Sequence, residues 1–346
     1  SRDGQIVQKV YNEIYGDAEA LYFLASRRAL TVPLLENVRD FEEILKTVPY
    51  IKREESVEDL LAKLGLYDTA LTDRIRKKYG NTIARSELTG EKGKEIFHII
   101  REPMKRNAQY EKECAAGYIN AKMPEGRVGL VDIGWYGTMQ KSFEKICRIT
   151  GVEREFYGLY LGLLSRDGSG LSNASGYIYN FKNKKSFDST MVFGFNGLIE
   201  LMFTADHGSA RNYRNLESGE YECVLEEDMG EYSDFVRKAQ EGALKFAACM
   251  KESKYAKKFG RRQAYKLLQG LLIDPTYEES VILGDLKFYD MYFEKINQFC
   301  GWKAFLMNPK KSLSAFLKSN WKIGYLRKMG FKNPAAIYKL INKIKK

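Results

Sequence analysis

The segment Val128 to Thr138, reading VGLVDIGWYGT, constrains the fold more than any other part of the chain. Four apolar residues, Val128 to Val131, are too few for a helix and suit a buried strand. They end on Asp132, a turn containing Gly134 and Gly137, and a helical pattern that begins near Met139. A strand, a glycine turn and a helix form the repeating unit of a sheet covered by helices. The same alternation continues on both sides. Apolar periodicity predicts helices near 5–15, 36–47, 57–64, 69–79, 91–118 and 137–149, with strands near 20–25, 127–132, 156–163 and 176–181. The expected fold class is α/β: a Rossmann-like parallel or mixed sheet with helices on both faces, spanning 1–215.

After about residue 215 the pattern turns helical, near 229–252, 257–272 and 279–299, and 216–300 reads as a helical subdomain. The last 46 residues, 301–346, differ in charge. They hold 12 Lys and Arg and no Asp or Glu, so the whole excess of positive charge behind the net +11 sits in them. Ile337, Leu340, Ile341 and Ile344 fall at helical spacing between lysines, which predicts a basic amphipathic tail. Leu313, Phe316 and Leu317 repeat the spacing, and Trp302, Trp321, Tyr325 and Phe331 read as interfacial aromatics. An anionic membrane surface is the expected partner of 301–346. A nucleic acid is not expected, since an apolar stripe has no use on a phosphate backbone.

Five scattered cysteines without a CxxC pair, and only two histidines, exclude a disulfide framework and a structural zinc site. Apolar runs all fall short of the roughly 20 residues of a spanning helix. The expected compartment is cytoplasmic, with peripheral attachment at the inner face of a membrane. The chain opens on Ser1, Arg2, Asp3 and Gly4 and enters a helical stripe at once. A strand is expected upstream, so that 1–215 reads as N-terminally truncated.

The candidate chemistry lies where strands end. Gly134 and Gly137 would let an anion approach the backbone, Thr138 would cap the helix or touch a ligand oxygen, and Asp132 would hold a metal ion or a sugar hydroxyl. Arg27 and Arg28 follow the expected strand 20–25, and guanidinium groups bind phosphate oxygens in pairs. Asp3 in the first loop joins the same edge. His207, beside Asp206, Gly208 and Ser209, titrates near neutrality and is the expected acid, base or phosphate donor. A second Ser-Arg-Asp-Gly, at 165–168, reads as a plain turn. The cofactor is not specified, with Mg²⁺ the candidate, and no dedicated metal cluster is expected.

The start Ser1 to Gly4, Leu21 to Leu30 (LYFLASRRAL), Val131 to Gln140 (VDIGWYGTMQ) and Phe203 to Ser209 (FTADHGS) together resemble the region downstream of the phosphatase core in predicted haloacid-dehalogenase-like hydrolases of bacterial surface-polysaccharide gene clusters. The resemblance covers roughly 1–215. It implies a hydrolase parent whose nucleophilic aspartate, in a DxFDT-like motif, is not in this chain, and a phosphorylated sugar or nucleotide-sugar as ligand. Two alternatives stand beside it. One is a phosphoribosyltransferase-like diphosphate-binding enzyme, although Ile133 follows Asp132 where two adjacent acids are usual. The other is a non-enzymatic membrane-docking module.

Overall fold

The computed structural model describes residues 2–16, 20–164, 171–181, 192–227, 234–254, 259–289, 293–297, 299 and 301–344. The turn expected at 165–168 lies outside them.

Local sequence rules account for the first helices. α1 (Gly4–Tyr15) follows its apolar stripe. α2 (Arg27–Thr31) starts at Ser26, whose Oγ accepts from the Ala29 N–H. α3 (Phe41–Thr47), α4 (Val57–Lys63) and α5 (Thr69–Tyr79) are capped by Asp40, Ser56 and Asp68, each accepting an orphan N–H of the first turn. A short antiparallel pair, β1 (Glu54–Ser56) and β2 (Thr82–Ala84), brackets α4 and α5. These elements close on the first half of α6 (Glu91–Lys122) around Val32, Phe41, Ile44, Leu60, Leu61, Ile75, Ile96 and Ile100.

The parallel sheet follows, in the order β3 (Gly126–Asp132), β4 (Arg154–Leu163), β5 (Ala174–Asn180). α7 (Thr138–Thr150) covers one face, where Phe143, Ile146, Val128 and Phe156 pack with Ala29, Leu30 and Tyr118. Among the described residues, helical cover on the second face is incomplete. Val131, Tyr157, Leu159 and Tyr177 share that face by register and are all exposed. Closer to the strand ends Leu161 and Tyr179 are packed against the large third cluster.

The expected strand at 20–25 does not form. The segment 20–26 has no regular secondary structure and joins no ladder among the described residues. Side chains take its carbonyls instead: Gln8 donates to Ala20 O at 2.5 Å and Tyr213 to Leu24 O at 2.9 Å. An antiparallel hairpin, β6 (Ala210–Asn215) and β7 (Tyr221–Leu225), packs on α6.

α8 (Asn196–Met202), α9 (Asp234–Glu252), α10 (Arg261–Ile273) and α11 (Tyr277–Ile282) follow. The helix expected over 279–299 is broken. It stops by Leu283, and β8 (Lys287–Tyr289) pairs antiparallel with β9 (Phe293–Lys295). Gly284, a poor helix former, lies just past the helix end, and its carbonyl and that of Leu286 accept the Asn297 and Ile296 N–H groups instead of continuing a helical ladder.

The basic tail comprises α12 (Trp302–Met307), α13 (Pro309–Lys318), α14 (Lys322–Lys328) and α15 (Pro334–Ile344). Much of it is core. Trp321, Ile323, Tyr325 and Tyr338 are buried with Val192, Phe195, Leu198, Val236, Leu272 and Ile296. The Trp321 N–H bonds to Ile296 O, and Arg327 and Lys328 pair with Asp274 and Asp285. Trp321 and Tyr325, expected at an interface, therefore face inward. In α15, Ile337 and Ile341 pack on the same cluster while Leu340 stays exposed; the side chain of Ile344 lies outside those described. No helix of the described residues is long and apolar enough to cross a membrane.

Because Trp321 sits at the centre of this cluster, Trp321→Ala should cost about 3–5 kcal/mol. Urea unfolding measures it, and a loss below about 1 kcal/mol would show that the tail is not part of the core.

Candidate functional site

The centre of the polar surface is an ion pair that sequence position alone does not suggest. Ser26 caps α2 and its Oγ–H also reaches Ala210 O at 2.6 Å, fixing the first turn of α2 against β6. Arg28, in that turn, inserts between α6 and β6. Its Nη1 donates to Glu111 Oε2 at 2.5 Å and its Nη2 to Glu111 Oε1 at 2.8 Å, and Nη1 also reaches Arg211 O at 2.5 Å. Glu111 is 2% exposed and receives a further bond from Asn107, which itself bonds Gly65 O. Burial opposes the charge on Arg28, and the attraction of Glu111 outweighs it, so the guanidinium stays protonated.

Two other guanidiniums flank this pair. Arg211 and Arg28 both lie 5.5 Å from the centroid of the Tyr67 ring, and Arg27 lies 5.4 Å from that of Tyr50. Arg27 and Arg211 are exposed, and neither has a carboxylate within ion-pair distance among the described residues. Tyr50 hydrogen-bonds Thr31, and burial pushes its phenol up to about 12. The result is a cationic, aromatic surface held on a rigid base.

A second cluster adjoins it. Tyr22 Oη and His207 Nε2 are hydrogen-bonded at 2.8 Å, the Tyr22 hydroxyl also lies 3.4 Å from Arg2 O, and His207 Nδ1–H donates to Gly208 O at 2.8 Å. Both ring nitrogens of His207 thus have partners within the fold. Burial raises the Tyr22 phenol, and the charges of Asp3 and Asp206 add to the effect. Asp206 itself is held below the usual carboxylate range by the Gln5 side chain, 2.6 Å away, and by Lys9. Arg2 links the clusters electrostatically, acting on both Tyr22 and Glu226, and Glu226 also feels Arg28 and Arg211. Ser209 contributes its carbonyl to the Glu226 N–H at 2.8 Å.

The Asp132–Thr138 loop has a different character. Asp132 Oδ1 accepts the Gly134 N–H at 2.9 Å, closing the turn on itself. A Cβ on Gly134 would stand 3.0 Å from the Asp132 carboxylate. Gly137 has φ +63°, and a Cβ there would come 2.3 Å from Leu171 Cδ1. The space beside each glycine is thus filled by the protein itself. Gly137 occupies the cap position and Thr138 is the first helical residue, not the cap. Trp135 Nε1 donates to Glu200 at 2.8 Å, anchoring the loop to α8.

Of the residues singled out in the sequence, Asp3, Arg27, Arg28, His207 and Ser209 fall on the joined clusters. No hydrogen bond or ion pair connects Asp132 to Arg27, Arg28 or His207. The sequence reading missed Glu111, Tyr50, Tyr67 and Arg211. Glu111 left a signal: it stands in the buried row of Ile96, Ile100, Met104, Ala108 and Ala115, where a carboxylate requires a buried partner. No group of three or more His, Cys, Asp or Glu side chains converges among the described residues. A groove of about 890 Å³ lies at the opposite end of the sheet, lined by Asn120, Glu125, Arg127, Arg154 and Glu155 among others. The sequence matches no protein-family model, and no characterised protein is significantly similar to it.

Removing Glu111 strands a buried guanidinium. Glu111→Ala should therefore cost about 3–5 kcal/mol in urea unfolding, and a cost near zero would mean that the pair is solvated. Alkali offers an independent check. Burial pushes Tyr50 and Tyr118 up to about 12 and Tyr213 well beyond its usual 10. The neutral phenols contribute stability that is intact below 10 and lost as pH rises through 12 and above. Tyrosinate absorbance should show part of the tyrosines ionising only as the chain unfolds; complete ionisation in the folded state would contradict this.

Proposed function

We propose that this chain binds a phosphorylated sugar or nucleotide-sugar on the guanidinium–tyrosine surface around Arg28, as the ligand-binding part of a haloacid-dehalogenase-like hydrolase of polysaccharide assembly. The observation that carries the reading is the unequal treatment of three neighbouring arginines. Arg28 is neutralised by Glu111, while Arg27 and Arg211 beside it keep unpaired charges next to Tyr50 and Tyr67. Planar guanidiniums grip phosphate oxygens through two parallel hydrogen bonds. Aromatic faces beside them suit a sugar ring or a base.

The hydrolase context rests on the four motif segments. Three of them supply the joined clusters: the start of the chain gives Arg2 and Asp3, the LYFLASRRAL segment gives Tyr22, Arg27 and Arg28, and the FTADHGS segment gives His207. In this reading Arg27 and Arg211 bind the phosphoryl oxygens, Arg28 holds the surface in shape, and the Tyr22–His207 pair fixes the neighbouring wall. Covalent phosphoryl transfer falls to the nucleophilic aspartate that the family resemblance assigns to the parent protein.

Calorimetric titration with UDP-glucose tests the assignment. Arg27→Ala and Arg211→Ala should each lower affinity about tenfold or more, with unfolding midpoints unchanged. Thr138→Ala should leave affinity alone. Should Thr138→Ala abolish binding while both arginine variants bind normally, the anion belongs in the loop and the diphosphate reading gains. Absence of UDP-glucose binding by the intact chain at millimolar ligand would reject the assignment.

A further inference from the structure

We propose that the corner formed by α12 and α13 docks on an anionic lipid bilayer. The inference is independent of the ligand site and places membrane contact on a defined part of the tail. The inner side of the corner is fastened to the core. Phe316 is buried, Phe305 packs on the large cluster, Trp302 Nε1 donates to Met329 O at 3.0 Å, and the Tyr325 hydroxyl donates to Ser312 O at 3.1 Å. That anchoring turns a set of apolar side chains outward. Leu306 and Met307, at the end of α12, are 72% and 77% exposed, and Leu313 on α13 is 57% exposed. Leu317 is exposed one turn beyond Leu313, and Lys310 precedes Leu313 by three residues on the same stripe.

The charges on this corner differ from those elsewhere in the tail. Arg327 and Lys328 of α14 pair with Asp274 and Asp285, so their charges are used within the fold. Lys303, Lys310, Lys311 and Lys318 are exposed and have no carboxylate within ion-pair distance among the described residues. Residues 301–346 contain no acid at all. Free cations interleaved with protruding Leu and Met select the occupant. A nucleic acid would use the lysines and leave the apolar groups in water. A second copy of this face would oppose like charges. An anionic bilayer uses both: its headgroup layer attracts the lysines, and the boundary beneath accepts the leucines and the methionine.

The test is co-sedimentation of the intact chain with vesicles of phosphatidylcholine alone or mixed with phosphatidylserine. The chain should bind the mixed vesicles, more weakly as salt rises, and leave phosphatidylcholine unbound. Lys310→Gln with Lys311→Gln should weaken binding about 25-fold, at roughly fivefold per charge. Lys339→Gln with Lys343→Gln, an equal charge change on α15, should weaken it less than about fivefold. Leu306→Ser with Met307→Ser should weaken it about tenfold or more. All these positions are exposed, and an unchanged circular dichroism spectrum confirms that each variant folds. The proposal falls if the chain ignores phosphatidylserine, if both lysine pairs weaken binding equally, or if the serine variant binds like the wild type. It falls too if the free chain is a dimer that the serine variant dissociates, since the face then serves a second copy.

Discussion

The buried pair of Arg28 and Glu111 is the constraint around which the polar surface is arranged. A guanidinium and a carboxylate removed from water are tolerable only when each meets the other with good geometry. Here the fork of Arg28 meets both oxygens of Glu111, and Asn107 and the Arg211 carbonyl take further bonding capacity. One interaction therefore ties three parts of the chain: the short helix α2, the long helix α6, and the hairpin strand β6. Sequence distance is no obstacle, as the partners stand 83 residues apart.

From that junction the chemistry of the neighbours follows. Since α2 cannot rotate without breaking the pair, Arg27 is carried beside Tyr50. Since β6 is held through its own carbonyl, the side chain of Arg211 is left over Tyr67. Both cations lie beside an aromatic ring with no carboxylate within ion-pair distance among the described residues, although Arg211 also acts on Glu226 from farther away. The Asp132–Thr138 turn makes contacts of its own, separate from this junction. Its carboxylate and its glycine clefts are filled from within, and Trp135 fastens it to α8.

What could be read from the sequence was local. The helices α4 and α5, the stripe of α1, and the strands β3, β4 and β5 with α7 between the first two declare themselves within a dozen residues through a single periodicity, whereas α3 begins only at its Asp40 cap, later than the apolar pattern from 36 suggests. The failures needed distant information. Leu21–Ala25 has the composition of a strand, yet a strand exists only with a ladder partner, and side chains of α1 and β6 claimed its carbonyls. The tail looked like a free amphipathic helix because its apolar stripe carries no mark of what covers it; Trp321 and Tyr338 are covered by residues from Val192 to Ile296. Arg27 and Arg28 were visible as a pair but not as opposites, because Glu111, which neutralises only one of them, lies on another helix.

The most direct measurement of the central claim is nuclear magnetic resonance of nitrogen-labelled arginine side chains during titration with UDP-glucose. The guanidinium resonances of Arg27 and Arg211 should shift with ligand while those of Arg28 remain in place, protected from solvent exchange. Shifts confined to the backbone amides of Gly137 and Thr138, or an Arg28 guanidinium exchanging freely with water, would contradict it.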